Sequence, residues 1–443
     1  MSGPAVAIDP GARFTRVAHV GPDGTPALVA LPGTVPGEGL PTSGAAGGHH
    51  GAALRTAYAA YRRQYGTPER IVVVVPQHDR PGEARRATDV LTALHGPDPM
   101  PRVLALGTPH AVLALLRHAG TATGARYAVC DLGATAAELS LCALTAGSVA
   151  VTGTARHAPA EGFAASFDAA VLAGAGLPDD ETTRLALAEA RAGDGVVQRL
   201  EIALGRSAGR PGHYDETVVL EVAGRPVTVA VLRRALDRLT AGLDTVLDRT
   251  ADGQPAPQVV AVGGAARSAR LRRHLTQRRG APAPLPTGTD PALAAAFGAA
   301  LVAAGRIDPA DRYPHVVFVG THRTVDGLPR GEELLVCPAG SLEPGGPTVF
   351  ARTGEERVRL RTTAAGNAAD RPVRIQVRDA RGGHATPVRT LTVPAAPEGT
   401  RFHVGVRLAA DGTARLVLEP LGSGQPSEHP LGPLPTDIEG ARP

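Results

Sequence analysis

Ala7-Ile8-Asp9-Pro10-Gly11 and Val129-Cys130-Asp131-Leu132-Gly133 are two copies of one pattern. Each is an apolar run that reads as a buried strand and breaks at glycine just past an aspartate. A third run, Val259-Val260-Ala261-Val262, breaks instead at Gly263-Gly264. An aspartate past a buried strand can hold Mg²⁺ through water, and the glycine beside it lets backbone N–H groups approach a phosphate. One such unit per half, with a Gly-Gly turn for a nucleoside, predicts an ATP clamp between two halves. The bland alternatives are a turn aspartate at Asp9 and Asp131, and a tight turn at Gly263 and Gly264.

The totals bound the class. A chain of 443 residues allows roughly two to four domains. Hydrophobic content of 43% suffices for a core, and 3% aromatics with no tryptophan makes that core Ala, Val and Leu. No stretch of about 18 uncharged apolar residues occurs, so no membrane span is expected. No basic-then-apolar leader opens the chain, and Cys130, Cys142 and Cys337 have no metal-like spacing. Reduced thiols in a cytoplasmic protein are the expectation. The net charge is +4, every cation besides histidine is arginine, and lysine is absent, so no lysine can serve in catalysis. The densest basic run, Arg267 to Arg279, lacks interleaved aromatics and reads as a solvated helix face, so no nucleic-acid partner is expected.

Along the chain, residues 1–125 read as a first α/β lobe and 126–305 as a second, with 306–329 a linker. The first carries strands near 4–9, 15–20 and 71–75, a Gly/Pro/His-rich loop at 32–51, and helices near 52–65, 81–95 and 109–119. The second carries strands at 127–131 and 137–144, then a long helical stretch through Arg206. A hairpin over 217–229 precedes a helix that shares one face among Leu232, Leu236, Leu239, Leu243 and Leu247. The last helix, 291–304, holds Gly298, which would permit a close helix–strand contact. Beyond it the period becomes two, as in Val373/Ile375/Val377 and Phe402/Val404/Val406/Leu408, with Asp411-Gly412 a hairpin signal. Residues 330–422 therefore read as an all-β sandwich and 423–443 as a loose tail.

The order and spacing of these segments resemble the DnaK-type heat-shock chaperones of the actin-like ATPase superfamily, over nearly the whole chain. Ile8-Asp9-Pro10-Gly11 looks like the family's first phosphate motif, and Asp131-Leu132-Gly133-Ala134-Thr135 like the second. Val262-Gly263-Gly264-Ala265-Ala266-Arg267 resembles the adenosine motif, and Asp290-Pro291 through Ala300 the helix after it. The segment from Pro397-Glu398-Gly399-Thr400 resembles the core of the peptide-binding sandwich. The resemblance implies a ribonuclease H-like, two-lobed ATPase module followed by a β-sandwich. It implies ATP or ADP with Mg²⁺, Asp9 and Asp131 on the metal, and Gly11, Gly133, Gly263, Gly264 and Arg267 on the nucleotide. Arg267 would stack on adenine, or be one more surface arginine. Glu138 stands where the family has an aspartate, and is a metal-side carboxylate or an exposed strand residue.

The departures bear on turnover. Ala12 and Arg13 replace two threonines, Ala136 replaces another, and Thr108 in Leu106-Gly107-Thr108-Pro109 replaces a carboxylate that positions water. The family's lysine has no counterpart, the subdomain that carries it is reduced to the loop 32–51, and no helical lid follows the sandwich. Thr108 and Thr135 are weak candidates for catalytic hydroxyls, and His49-His50 lack the partners of a metal site. The expectation is a chaperone-like protein that binds ATP, hydrolyses it slowly or not at all, and binds a polypeptide client or partner protein. The alternative is a nucleotide-free interaction scaffold. A sugar or acetate kinase of the same superfamily fits less well, since no carboxylate is placed to deprotonate a hydroxyl.

Overall fold

The run Ala5–Pro10 forms β1 and turns back through Phe14–Val20, β2, so that Asp9 lies directly across from Arg16. The structure is a computed structural model. It describes residues 5–42, 50–96, 98–122, 126–145, 148–160, 162–192, 196–210, 212–249, 258–308, 312–313, 315–326, 328–344, 346–362, 370–378, 385–386, 389–394, 397–409, 413–422 and 424–435. Its contacts divide the chain into two compact units, one of Met1–His78, Val90–Leu141 and Thr154–Ile307, the other of Asp79–Asp89, Cys142–Gly153 and Asp308–Pro443. The architecture is mixed α/β with several sheets, none closing into a barrel among the described residues.

Two sheets, with β1 in one and the strand Arg126–Leu132 in the other, follow one plan. After β2 come β3 (Pro26–Leu28), β4 (Leu40–Pro41), α1 (His50–Tyr65), β5 (Arg70–Val75), α2 (Arg80–His95), β6 (Arg102–Gly107) and α3 (Thr108–His118). The sheet runs β3-β2-β1-β5-β6, with β4 beside β2. The β-branched run Ile71–Val75 is buried throughout, as a strand with parallel neighbours on both sides should be. The next strands are β7 (Arg126–Leu132), β8 (Ala137–Thr145) and β9 (Ser148–His157). The helices α4 (Phe163–Gly174), α5 (Glu181–Ala192) and α6 (Val196–Gly209), the hairpin β10 (Val218–Val222) with β11 (Arg225–Thr228), and α7 (Val229–Arg249) precede β12 (Gln258–Val262). This second sheet runs β12-β7-β8-β9, and Val259 also bridges to Pro282 in parallel. Thus β1 and β7 each sit between a hairpin partner and a parallel strand, and each ends in an aspartate turn.

Packing decides what the pattern left open. The five leucines of α7 are all buried, as their spacing predicts. The stretch expected to be helical through Arg206 instead begins with β9, and β6 was not anticipated. Both strands are short or mixed in polarity, so periodicity alone did not separate them from their surroundings. After α8 (Ala269–Arg279), helix α9 (Ala294–Ala303) packs on β1, β2, β5 and α3, all elements of the first sheet's half, although sequence order assigned it to the second. A Cβ at Gly298 would lie 1.8 Å from the Ala111 carbonyl oxygen, so this glycine serves a helix–helix contact with α3 rather than a helix–strand one.

The second unit is all-β beyond residue 312. It contains β13 (Val316–Val325), β14 (Leu328–Cys337), β15 (Val349–Phe350), β16 (Arg352–Thr353), β17 (Glu356–Arg357), β18 (Leu360–Arg361), β19 (Asp370–Arg378), β20 (Arg389–Pro394), β21 (Arg401–Leu408), β22 (Thr413–Pro420) and β23 (Ser427–Pro433). One sheet runs β14-β13-β19-β20; the other runs β15-β21-β22-β23, with β18 on β21. Val317, Val319, Ile375 and Val377 from the first share one core with Val404, Val406, Leu408 and Leu416 from the second. The β region is wider than expected: β13 begins inside the stretch assigned as linker, and β23 lies in the stretch assigned as loose tail. The Asp411-Gly412 turn and residues 43–49, His49 among them, lie outside the described residues. No described helix is long and apolar enough to cross a membrane.

Candidate functional site

Asp9, Gly11, Asp131, Gly133, Gly263, Gly264 and Arg267, separated by up to 258 positions in sequence, all line one cavity of about 730 Å³ in the first unit. The topology brings them together. Asp9 and Asp131 are the next-to-last residues of β1 and β7, and Val262, which pairs with Asp131, leads straight into Gly263. Gly263 has φ 87° and ψ 168°, a backbone region open only to glycine. A Cβ there would lie 2.6 Å from both Asp131 Oδ1 and the Leu132 carbonyl oxygen. Gly264, by contrast, faces open space.

The carboxylates are electrostatically frustrated. Burial pushes Asp131 up to about 7, reinforced by the charges of Asp9 and Glu138 and opposed by Arg16 and His50. Burial also raises Asp9, against the same two cations. Among the described residues no group of three or more His, Cys, Asp or Glu forms a metal cage. A Mg²⁺ held with phosphates needs only one or two carboxylates, its remaining positions going to water and phosphate oxygen. Two part-buried carboxylates that repel each other beside open space fit such a cation, and Asp9 and Asp131 are the residues that would hold it.

The glycine turns behave differently from their sequence reading. The Gly11 N–H donates to the Asp9 carbonyl oxygen at 2.9 Å, Gly133 N–H to Ala136 at 2.9 Å and Gly263 N–H to Pro291 at 3.0 Å. These three amides are already used, so the glycines let a ligand come near without offering it their own N–H groups. The carbonyls of Ala134 and Thr135 likewise accept from Ala164 and Phe163 at the start of α4.

No protein-family model and no curated protein matches this chain.

Partners that the sequence did not point to, among them Glu38, Asp290, Asp168 and His78, complete the site. Arg267 Nε and Nη2 donate to Asp290 at 3.0 Å and 2.8 Å, and Nη1 donates to Glu38. Its in-plane edges are thus bonded, which holds the guanidinium flat and leaves only its faces for stacking. Arg13 pairs with Asp168, which also accepts from Arg191 at 2.6 Å. Glu138 is buried rather than exposed: it accepts from the Gln77 and His78 amides at 2.8 Å and 3.3 Å and sits 2.7 Å from His78 Nδ1. That carboxylate is a tie between β8 and the end of β5, not an open metal ligand. Thr108 is buried, and its hydroxyl reaches back to the Val75 carbonyl at 3.5 Å. The basic run on α8 is partly neutralised by α7, with Arg270 on Asp237 and Arg278 on Asp244 and Asp248. The three cysteines are buried and form no disulfide.

Proposed function

We propose that the first unit is an actin-like nucleotide-binding module of two lobes, joined to a β-sandwich that docks polypeptide, in a DnaK-type chaperone-like protein. One observation carries this reading. Two sheets of similar strand order each carry an aspartate one residue before the end of an interior strand, and both aspartates line one cavity beside the Gly263-Gly264 turn. Mg²⁺ with ATP or ADP is the ligand that this arrangement suits, with Asp9 and Asp131 on the cation and the face of Arg267 on the base.

The chemistry that remains is binding rather than turnover. Phosphoryl transfer to water needs a positioned nucleophile as well as charge neutralisation. Thr108 is bonded to backbone, Glu138 is bonded to two amides and His78, and there is no lysine. Losing one positioning or electrostatic group costs roughly 10²–10⁴ in rate. Nucleotide would then act as a ligand that favours one arrangement of the lobes, a population shift without turnover. In the second unit, two small sheets with exposed edges suit an extended chain that adds a strand.

The test is calorimetric titration of the full chain with Mg·ATP and Mg·ADP, followed by a turnover assay on the same sample. Binding with turnover far below ordinary ATPase rates is the expected result. Fluorescence anisotropy with labelled apolar heptapeptides tests the docking half, with micromolar or weaker binding expected. A nucleotide-free scaffold is the second reading, and the ion pairs Arg267–Glu38 and Arg13–Asp168 favour it, since the chain itself supplies contacts that a ligand would otherwise make. Absence of any heat or melting shift with millimolar Mg·ATP would decide for that scaffold.

A further inference from the structure

Arg16 lines the cavity from β2, a largely buried strand, and its charge is poorly met. It is 9% exposed, between buried Thr15 and the buried pair Val17 and Ala18. Its nearest acids are Asp9 at 3.7 Å and Glu38 at 4.0 Å, both beyond hydrogen-bond length. Its Nε is buried and has no hydrogen-bond partner. Three other arginines of the cavity are more closely met: Arg267 and Arg191 donate to carboxylates at 2.8 Å and 2.6 Å, and Arg13 is closely paired with Asp168. A buried guanidinium held this loosely is costly unless something else binds it.

Its position says what that ligand is. Arg16 lies across from Asp9 in the hairpin register, and its Nη1 is 3.5 Å from where a Cβ of Gly11 would stand. The Gly11 turn would lie against a phosphate on the nucleotide reading, yet its own amide is turned back on Asp9. A polyanion entering here needs side-chain cations, and an arginine fork suits phosphate oxygens.

We propose that Arg16 is the phosphate-binding cation of this cavity, pairing with the phosphate chain of a nucleoside di- or triphosphate in place of the Gly11 amide, which is turned back on Asp9. This rests on the nucleotide reading of the site. Ligand binding would draw the guanidinium from Asp9 and Glu38 onto phosphate oxygen, leaving Asp9 to the cation.

Titrate wild type, Arg16→Gln and Glu38→Gln with Mg·ADP and with adenosine, and compare the ratio of the two affinities. A hydrogen bond to a charged group predicts that Arg16→Gln lowers the ADP-to-adenosine preference roughly tenfold to hundredfold, with adenosine affinity unchanged. Glu38→Gln removes a competitor for Arg16, so the preference should rise; any change at Arg267 would affect both ligands and cancel in the ratio. An unchanged preference in Arg16→Gln, or an equal loss of both ligands, overturns the proposal. If Arg16→Gln does not fold, a preference in Glu38→Gln that stays level or falls overturns it. Wild type that binds neither ligand refutes the nucleotide reading itself, which is a separate result.

Discussion

Replacing Gly263 and Gly264 one at a time by alanine separates the role of the turn in the fold from its role at the cavity. Gly263 holds φ 87° and ψ 168°. A Cβ-bearing residue in that region costs about 1–3 kcal/mol in backbone strain. The methyl would also stand 2.6 Å from Asp131 Oδ1 and 2.6 Å from the Leu132 carbonyl oxygen, where about 3.4 Å is the near limit of ordinary contact. The carbonyl belongs to β7 and cannot swing aside, so the turn or the strand end must shift, which adds about 1–3 kcal/mol. Gly263→Ala should therefore destabilise the first unit by about 2–6 kcal/mol, a fall in melting temperature of roughly 5–15 °C. Gly264→Ala meets no atom within 4 Å and should leave the melting temperature near that of wild type. It should still weaken Mg·ADP, because its methyl occupies the cavity wall. Differential scanning calorimetry with and without Mg·ADP reads both effects. A Gly263→Ala protein that melts with wild type refutes the steric argument. Loss of stability in Gly264→Ala refutes the assignment of the open side.

Mg·ADP at ten times its dissociation constant should stabilise the fold by about 1.4 kcal/mol, and Asp131→Asn should shrink that shift by removing charge at the cation; an undiminished shift in the variant counts against Asp131 as a metal-side group. Asp131 is raised from its ordinary 3.8 to about 7, so between these values the folded state keeps a proton that the unfolded chain releases. Stability contributed by this group is full below about pH 4 and is lost as pH rises towards 7, so metal-free Asp131→Asn should show a flatter melting profile over that window. His95 acts with the opposite sign: burial and then Arg62 lower it, while Tyr58 Oη lies 2.6 Å from its Nε2. Its contribution is present above about pH 6.5 and is lost on acidification, and His95→Asn should flatten the acid side of the profile. Gly298→Ala gains about 1 kcal/mol in helix propensity but drives a methyl into the Ala111 carbonyl, so a net loss of about 1–3 kcal/mol is expected on chemical denaturation, and a stabilised variant would show that α3 and α9 can separate freely.

The strands carrying Asp9, Asp131 and Val262, the leucine face of α7 and the alternating strands beyond residue 312 were readable in sequence because their information is local. A buried strand or an amphipathic helix announces itself through the period of its apolar residues, and a glycine through the turn it permits. The aspartate and glycine turns could be named for the same reason, whereas Arg267 was named through the resemblance to the chaperone family's adenosine motif. What those residues do with their hydrogen bonds could not be read. The amides of Gly11, Gly133 and Gly263 are used by carbonyls, two of them inside their own turns and the third on Pro291, and only the folded backbone shows this. Glu138 became a buried tie to Gln77 and His78 because two sheets bring residues sixty positions apart into contact. Arg267 became a fixed platform because Glu38 and Asp290 arrive from opposite directions in the chain. Arg16 carried one faint signal, a charge inside an apolar strand, but its significance lay in the hairpin register that sets it across from Asp9. Helix α9 was assigned by order along the chain, yet it packs against the first sheet, since burial of an all-apolar helix is decided by which surfaces are free to cover it. Local pattern determined the elements; long-range pairing of charges and backbone polar groups, which only the tertiary structure decides, determined the site.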